Sequence, residues 1–436
     1  MKVLLVFLAV TMMAQAVDFR VEKLDNGLTV VVSRDASSPV VTVCIAVKTG
    51  ATCETPETNG LAHFYEHMFF KGNAALPSQT AYNRRMGELG IVRNGTTSSE
   101  MVRYYVTLGS GKLEEGLRFM YDAITSPLFD SLEMEREREV ILNEYQRGLV
   151  SPFHPYVEAM EKVIFSSAPW RYSAIGDPEV IMAADPEVMR EFRHKYYTPD
   201  NSVLIIAGDV DCDRVFQLAS EIFSGWEYGG RSDYDSLPRL VRIERDTTVL
   251  VDSPSGIGYV AVVFEGPSIS TDPSDSYPAD VWGEYLSLTS GRFYTDLVTN
   301  GPFTDVSAWY YTQRFAPTVT FGGRVPAERA MEALEALRDE IRELQDPGYY
   351  DPEEMRLAKE RLRRDRILSG ETARDVAVES LSFWWVVAGN LDYYATYLDS
   401  IRAVEIDDVT AFVRRWITGK PSAAFVMMPL EGSMEP

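Results

Sequence analysis

The segment DASSPVVTVCIAVKTGA, beginning at Asp35, returns 217 positions later as DSPSGIGYVAVVFEGPS, beginning at Asp252. Two further pairs keep the same order. LEEGLRFMYDAITSPLFDSLEMERERE from Leu113 parallels AMEALEALRDEIRELQDPGYYDPEEMRLAKE from Ala330, and IMAADPEVMREF from Ile181 parallels IRAVEIDDVTAF from Ile401. One such match is within reach of chance; three at nearly constant spacing mark a duplicated unit. A chain written twice folds as two similar bodies, each of ordinary domain size. Units are expected at residues 17–228 and 240–436, joined through EYGGRSDYDSLPR, residues 227–239, where turn formers cluster.

Within the first unit the strands come early. FRVEKLDNGLTVVVSR reads as a hairpin about Asn26-Gly27, followed by an apolar strand from Val40 to Val47. Helical periodicity then covers 58–70, 112–126, 131–148 and 185–196, and SVLIIAGDV, from Ser202, reads as a closing buried strand. Strands followed by blocks of helices predict an α+β fold: two homologous domains, each a mainly antiparallel sheet with helices packed against it.

Charge narrows the partners. Against 42 Lys+Arg stand 65 Asp+Glu, a formal charge of −23, and such a surface repels phosphate backbones, so nucleic acid is excluded as a partner. The acidity either serves solubility alone or forms an enclosure that favours cationic ligands. No segment after the N-terminus is apolar for the ~18 residues of a membrane span. MKVLLVFLAVTMMAQAVDF has Lys2, an apolar run from Val3 to Met13 and Ala14-Gln15-Ala16, the layout of a signal peptide cleaved after Ala16. The alternative is an N-terminal core strand; the Ala-x-Ala ending and short run favour export to a periplasm or beyond. No cysteine follows the run to carry a lipid. Cys44, Cys53 and Cys212 are odd in number and lack metal-binding spacing, so all three are expected to be structural.

Only four histidines occur, and two of them fall within five positions of GLAHFYEHMFFKG, residues 60–72. On a helix, His63 and His67 stand one turn apart and project from one face, as a pair binding a single Zn²⁺ would. Glu66 lies on the same side, within reach of water activated there. Two histidines on a solvated helix face are the plainer alternative. However, Phe64, Met68, Phe69 and Phe70 make the helix apolar, and buried polar side chains need a partner. A catalytic zinc site takes three protein ligands plus water. The third should come from SLEMEREREVILNEYQRGL, residues 131–149, where Glu137, Val140, Ile141 and Glu144 follow the spacing of one inward stripe. Glu133, Glu135 and Glu139 fall on a solvated face. The stripe offers Glu144 as ligand and Glu137, two turns earlier, as its support.

His63-Phe64-Tyr65-Glu66-His67 is an H-x-x-E-H pattern, and its helix resembles the active-site helix of the pitrilysin/insulinase family, the inverzincins, which includes the mitochondrial processing peptidases. The resemblance extends to EREREVILNEYQ, where Glu144, 77 residues after His67, stands at the family's third zinc ligand and Glu137 at its supporting carboxylate. ELGIVRNGTTSSEMVRYYVTL resembles the family's substrate-edge segment, which implies that Asn94 contacts the peptide or the catalytic water. The likeness runs from LDNGLTVVV to the last helix. It implies one Zn²⁺ per chain, metal-assisted peptide hydrolysis with Glu66 as general base, Glu137 orienting a ligand histidine, and a peptide substrate extended along a sheet edge. In the second copy the equivalent positions are Asp280, Glu284 and Asp365, so that unit is expected to keep the scaffold without the metal.

Family members also carry an Arg and a Tyr in the C-terminal half that grip substrate. Arg292 fits the arginine, with a surface charge near a helix start as the alternative, but Thr304 stands at the tyrosine position, and Tyr310 or Tyr311 aligns with it poorly. The resemblance therefore implies a homodimer or a heterodimer with a zinc-less relative. A non-catalytic scaffold subunit is the rival function, and structural zinc binding a third that leaves Glu66 without a purpose. His154 is expected in a loop as a structural or rim residue, His194 on a solvated helix face, and FWWVV, residues 383–387, in core or interface packing.

Overall fold

Asn26 and Gly27 turn the chain between β1 (Arg20–Lys23) and β2 (Thr29–Arg34): Gly27 takes φ 85°, and Leu24 N–H closes the turn on the Leu28 carbonyl at 2.9 Å. This hairpin opens a computed structural model that describes residues 18–430 except 169, 170, 172, 230, 231 and 254; the expected export segment, residues 1–16, lies outside the described residues. β3 (Val40–Val47), β4 (Val92–Thr97), β5 (Val102–Gly109) and β6 (Ser202–Gly208) complete a six-stranded sheet in the order β1-β2-β6-β3-β5-β4. Only the β2–β6 pairing is parallel.

The second unit repeats the order of β2 to β6, without a counterpart of β1. β7 (Thr247–Asp252), β8 (Gly258–Glu265), β9 (Asp305–Tyr311), β10 (Thr318–Val325) and β11 (Ala423–Met428) form a sheet ordered β7-β11-β8-β10-β9, again with one parallel pair, β7–β11. The duplication visible in the sequence is thus a duplication of topology, and the α+β expectation matches the architecture.

Helices of the first unit are α1 (Leu61–Phe69), α2 (Gln79–Leu89), α3 (Leu113–Thr125), α4 (Ser131–Leu149), α5 (His154–Ile164), α6 (Pro178–Ala183), α7 (Pro186–Tyr196) and α8 (Cys212–Phe223). α1, α3 and α8 cover one face of the first sheet. Phe69 of α1 stacks on Tyr104 of β5 with centroids 3.7 Å apart, and Tyr65 stacks on Tyr197 at 3.8 Å. The opposite face is covered from the second unit by Asp375–Leu381 and Ser382–Val387, which lie on β3 and β6 and bury Trp385 and Val386. In exchange, α5 leaves the first unit to lie on β7 and β11, where Tyr156 meets Phe425 edge-on. FWWVV is therefore interface packing.

Three local expectations need correction. The histidine helix begins at Leu61 rather than 58, because Gly60 takes φ 98° and a Cβ there would sit 2.8 Å from the Gly176 Cα. Val140 is exposed; the buried stripe of α4 is Met134, Glu137 and Ile141. His154 opens α5 instead of sitting in a loop. All three cysteines are free thiols, Cys44 and Cys53 buried, and among the described residues no helix is long and apolar enough to cross a membrane.

Candidate active site

The histidine helix is anchored before it starts. Glu54, 1% exposed, accepts hydrogen bonds from the Gly60 and Ala62 N–H groups at 2.8 Å and from the Asn59 side chain at 3.0 Å. The first turn of a helix has unpaired donors, and a carboxylate held there fixes both the start of α1 and its direction. Burial pushes Glu54 up to about 7, against these three donors.

One turn further in, the His63 and His67 rings stand nearly perpendicular, with their Nε2 atoms 3.3 Å apart. α4 crosses beside them and brings the Glu144 Oε2 to 3.7 Å from His63 Nε2 and 3.6 Å from His67 Nε2. Among the described residues these three form the one group of metal-capable side chains whose ligand atoms all lie within 4.8 Å of each other. A tetrahedral ion with bonds of roughly 2.0–2.2 Å spaces its ligands by about 3.3–3.6 Å, so the observed triangle is close to the size that a zinc ion takes.

Glu137 sits behind this triangle. Its Oε2 takes a hydrogen bond from His67 Nδ1 at 3.0 Å, and its Oε1 pairs with Lys71. Burial works against the Glu137 charge, but His67 and Lys71 outweigh it and hold the carboxyl below its ordinary range. A carboxylate can only accept, so Nδ1 of His67 carries a proton and Nε2 is the ring nitrogen turned to the triangle. Burial also opposes a charge on His67, yet the bond to Glu137 and the nearby Glu66 and Glu144 raise its pKa. His63 is pushed down to about 4, first by burial and then by His67, and is neutral.

Glu66 occupies the remaining side. Its Oε2 accepts from the Thr97 hydroxyl at 3.2 Å, and it lies against Gly95, where a Cβ would come within 2.9 Å of Oε1. Both belong to β4, the edge strand of the sheet. Burial raises the Glu66 pKa, with His67 and Thr97 working the other way. Glu66 thus holds a proton more readily than a free glutamate, beside a neutral His63 and a His67 whose charge Glu137 favours.

Asn94, also on β4, pairs with Tyr105 while Gly95 pairs with Tyr104, so Asn94 leaves the sheet on the face opposite Glu66 and is exposed. Arg292 lies in the second unit, bonded to Asp296 at 3.1 Å, within 3.9 Å of Glu340 and Glu343, and over the Tyr349 ring. The Thr304 hydroxyl bonds the Arg324 carbonyl, and the Tyr310 hydroxyl the Pro267 carbonyl. In the equivalent place on the second unit, Asp280 accepts from the Tyr397 hydroxyl at 2.8 Å, Glu284 pairs with Arg361 at 2.7 Å and Asp365 with Arg364. A guanidinium there meets the acid that replaces a histidine.

Lys71, Thr97, Gly95 and Glu54 were not singled out by sequence. Lys71, four residues after His67, was within reach of helical spacing; Thr97 and Gly95 required the strand register. Beside Glu144 a cleft of about 660 Å³ is lined by His154, Glu158, Glu161 and Asp177.

Residues 29–161 match the family described as Insulinase (Peptidase family M16), and residues 183–362 match its Peptidase M16 inactive domain. The chain belongs to peptidase family M16. An M16 relative across most of its length is the mitochondrial-processing peptidase subunit beta of Lentinula edodes, 25% identical over 94% of this chain and 90% of that one. An uncharacterized zinc protease of Bacillus subtilis (strain 168) is 27% identical over 48% of this chain, and the match spans only half, 50%, of that protein's length. The M16 fold extends to a crystal structure of a protease from Helicobacter pylori, with TM-score 0.82, 20% identity, and coverage of 94% of this chain and 100% of that one.

Proposed function

We propose that this M16 chain is an exported zinc metalloendopeptidase that hydrolyses peptides or unfolded polypeptide segments. The observation that carries the proposal is the triangle of His63, His67 and Glu144, with edges of 3.3, 3.7 and 3.6 Å, with the half-buried Glu66 carboxylate beside it and outside it. His63, His67 and Glu144 would hold one Zn²⁺. Bound there, the ion would lower the pKa of water toward ~7 and polarise the scissile carbonyl.

The remaining work belongs to the chain. Glu137 keeps His67 in the tautomer that offers Nε2. Glu66, steadied by Thr97, takes a proton from the attacking water and returns it to the leaving amine. β4 is an open sheet edge running past Glu66, and a substrate that adds to it as a further strand is bound through its backbone, which makes sequence selectivity loose. Asn94 is proposed to meet that peptide from the other side of the sheet. The acids lining the cleft beside Glu144 support a preference for cationic side chains near the scissile bond. Residues 17–228 would form the catalytic unit and 240–436 its metal-free partner.

A two-subunit form has its own support. Arg292 is already occupied by Asp296, Glu340 and Glu343, so gripping substrate would mean releasing those acids, and Thr304 offers no phenol. A zinc-less relative that carries both groups would complete the substrate grip, whereas a second copy of this chain would have to free its Arg292 and find another phenol.

The test is peptide cleavage by the zinc-loaded chain compared with Glu66→Gln. Loss of turnover with zinc retained supports the peptidase; equal turnover removes Glu66 from the reaction. An absence of turnover, both alone and with a partner subunit, favours a scaffold.

A further inference from the structure

The second unit grips the first at one buried carboxylate. Glu100, 3% exposed, lies in the turn that joins β4 to β5, three residues beyond Thr97. Its Oε1 accepts from the Phe315 N–H at 2.8 Å and its Oε2 from the Arg314 N–H at 2.9 Å, both in the loop between β9 and β10. Successive N–H groups aimed at one point form a nest for an anion. That loop is held from behind by its own unit: Ile269 N–H bonds the Gln313 carbonyl, the Ser268 hydroxyl that of Arg314, Leu240 N–H that of Phe315 and Gly266 N–H that of Pro317. The donors are therefore fixed before Glu100 meets them.

The turn carrying Glu100 is equally tied to both sides of the Glu66 site. Through β4 it continues into Thr97 and Gly95, which touch Glu66. Through Ser99 it reaches the start of α1: the Ser99 carbonyl accepts from both the N–H and the hydroxyl of Thr52 at 2.8 Å, two residues before Glu54. Gly50 leaves the room for this, since a Cβ there would fall 2.4 Å from the Ser98 carbonyl oxygen. Gln313 adds a side-chain bond to the Ser99 hydroxyl at 3.2 Å.

We infer that Glu100 is a positioning residue for the proposed hydrolysis: seated on the backbone N–H groups of Arg314 and Phe315, it lets the second unit fix the gap between β4 and Glu66. The inference rests on the peptidase reading, and it gives the metal-free unit a task at the reacting end of the molecule. A carboxylate is needed because both partners donate; an amide of the same size turns an NH₂ toward one of them.

The test uses the zinc-loaded full chain and its Glu100→Gln variant, with zinc content, amide hydrogen exchange, and kcat and KM measured on each. Zinc should stay at one per chain. Exchange should speed up about tenfold or more both in 313–316 and in 92–97, and kcat should fall about tenfold, as a small misplacement of catalytic groups does. Glu100→Asp, which keeps the charge on a shorter arm, should lie between, and it serves if the amide variant fails to fold. Faster exchange confined to 313–316, with 92–97 and kcat unchanged, would make Glu100 a staple between units and overturn the inference. If the parent protein cleaves nothing, the peptidase reading falls on its own, while the exchange comparison still decides the clamp.

Discussion

Glu137 makes two bonds, one to His67 Nδ1 and one to Lys71, and holds the imidazole from behind. Glu137→Gln retains the shape but can present an NH₂ to Nδ1, which turns the tautomer preference around. Outer-shell partners of this kind are worth roughly 10–100-fold in metal affinity. A fall of that size is expected in zinc affinity, read by competition with a chelator, while the fold is kept. An unchanged affinity would show that His67 needs no such partner.

At the scale of elements, the contact between α1 and β4 decides the geometry of Glu66. Gly95 has room for hydrogen only: a Cβ would lie 2.9 Å from both Cγ and Oε1 of Glu66. Gly95→Ala should therefore push the carboxylate aside and reduce kcat/KM about 100-fold with zinc content unchanged. Activity close to that of the parent would mean that Glu66 moves freely and that β4 does not constrain it. The same contact marks the limit of what the sequence reveals. His63, His67 and Glu144 were legible because helical spacing is local and each helix supplies its own period. Glu137 followed from the same stripe, whereas Val140 did not: α4 packs on one side only, and an apolar residue just off the buried stripe is left in solvent. Gly95 and Thr97 meet a side chain some thirty residues away through a strand register that no local pattern fixes. Because side chains alternate along a strand, choosing Asn94 instead of its neighbour selects the other face. The duplicated topology could be read from three matched segments. The exchange of α5 for segment 375–387 could not, since it depends on which faces remain uncovered once both sheets exist.

Across the whole molecule, buried acids set how stability answers to pH. Burial pushes Asp280 up to about 7, opposed only by the Tyr397 hydroxyl, and it pushes Glu54 and Glu100 up to about 7 against the N–H groups that hold them. In an unfolded chain such groups titrate near ~4. Between roughly pH 4 and 7 the folded protein keeps protons that the unfolded chain has released, so stability falls as pH rises through that window and levels off above it. His63, depressed to about 4, works the other way up to its unfolded pKa of ~6.5 and offsets part of the trend. Three acids outweigh one imidazole. The melting temperature of the metal-free protein, with zinc chelated so that ligand binding does not enter, should therefore drop between about pH 5.5 and pH 7.5, the reverse of ordinary acid denaturation. Asp280→Asn keeps an acceptor for Tyr397 and removes one titrating group. It should be the more stable protein near pH 7.5, and its melting temperature should vary less steeply with pH. A melting temperature that climbs across this range, or an Asp280→Asn variant that keeps the parent slope, would mean that these acids stay ionised in the fold and that its interior holds their charge.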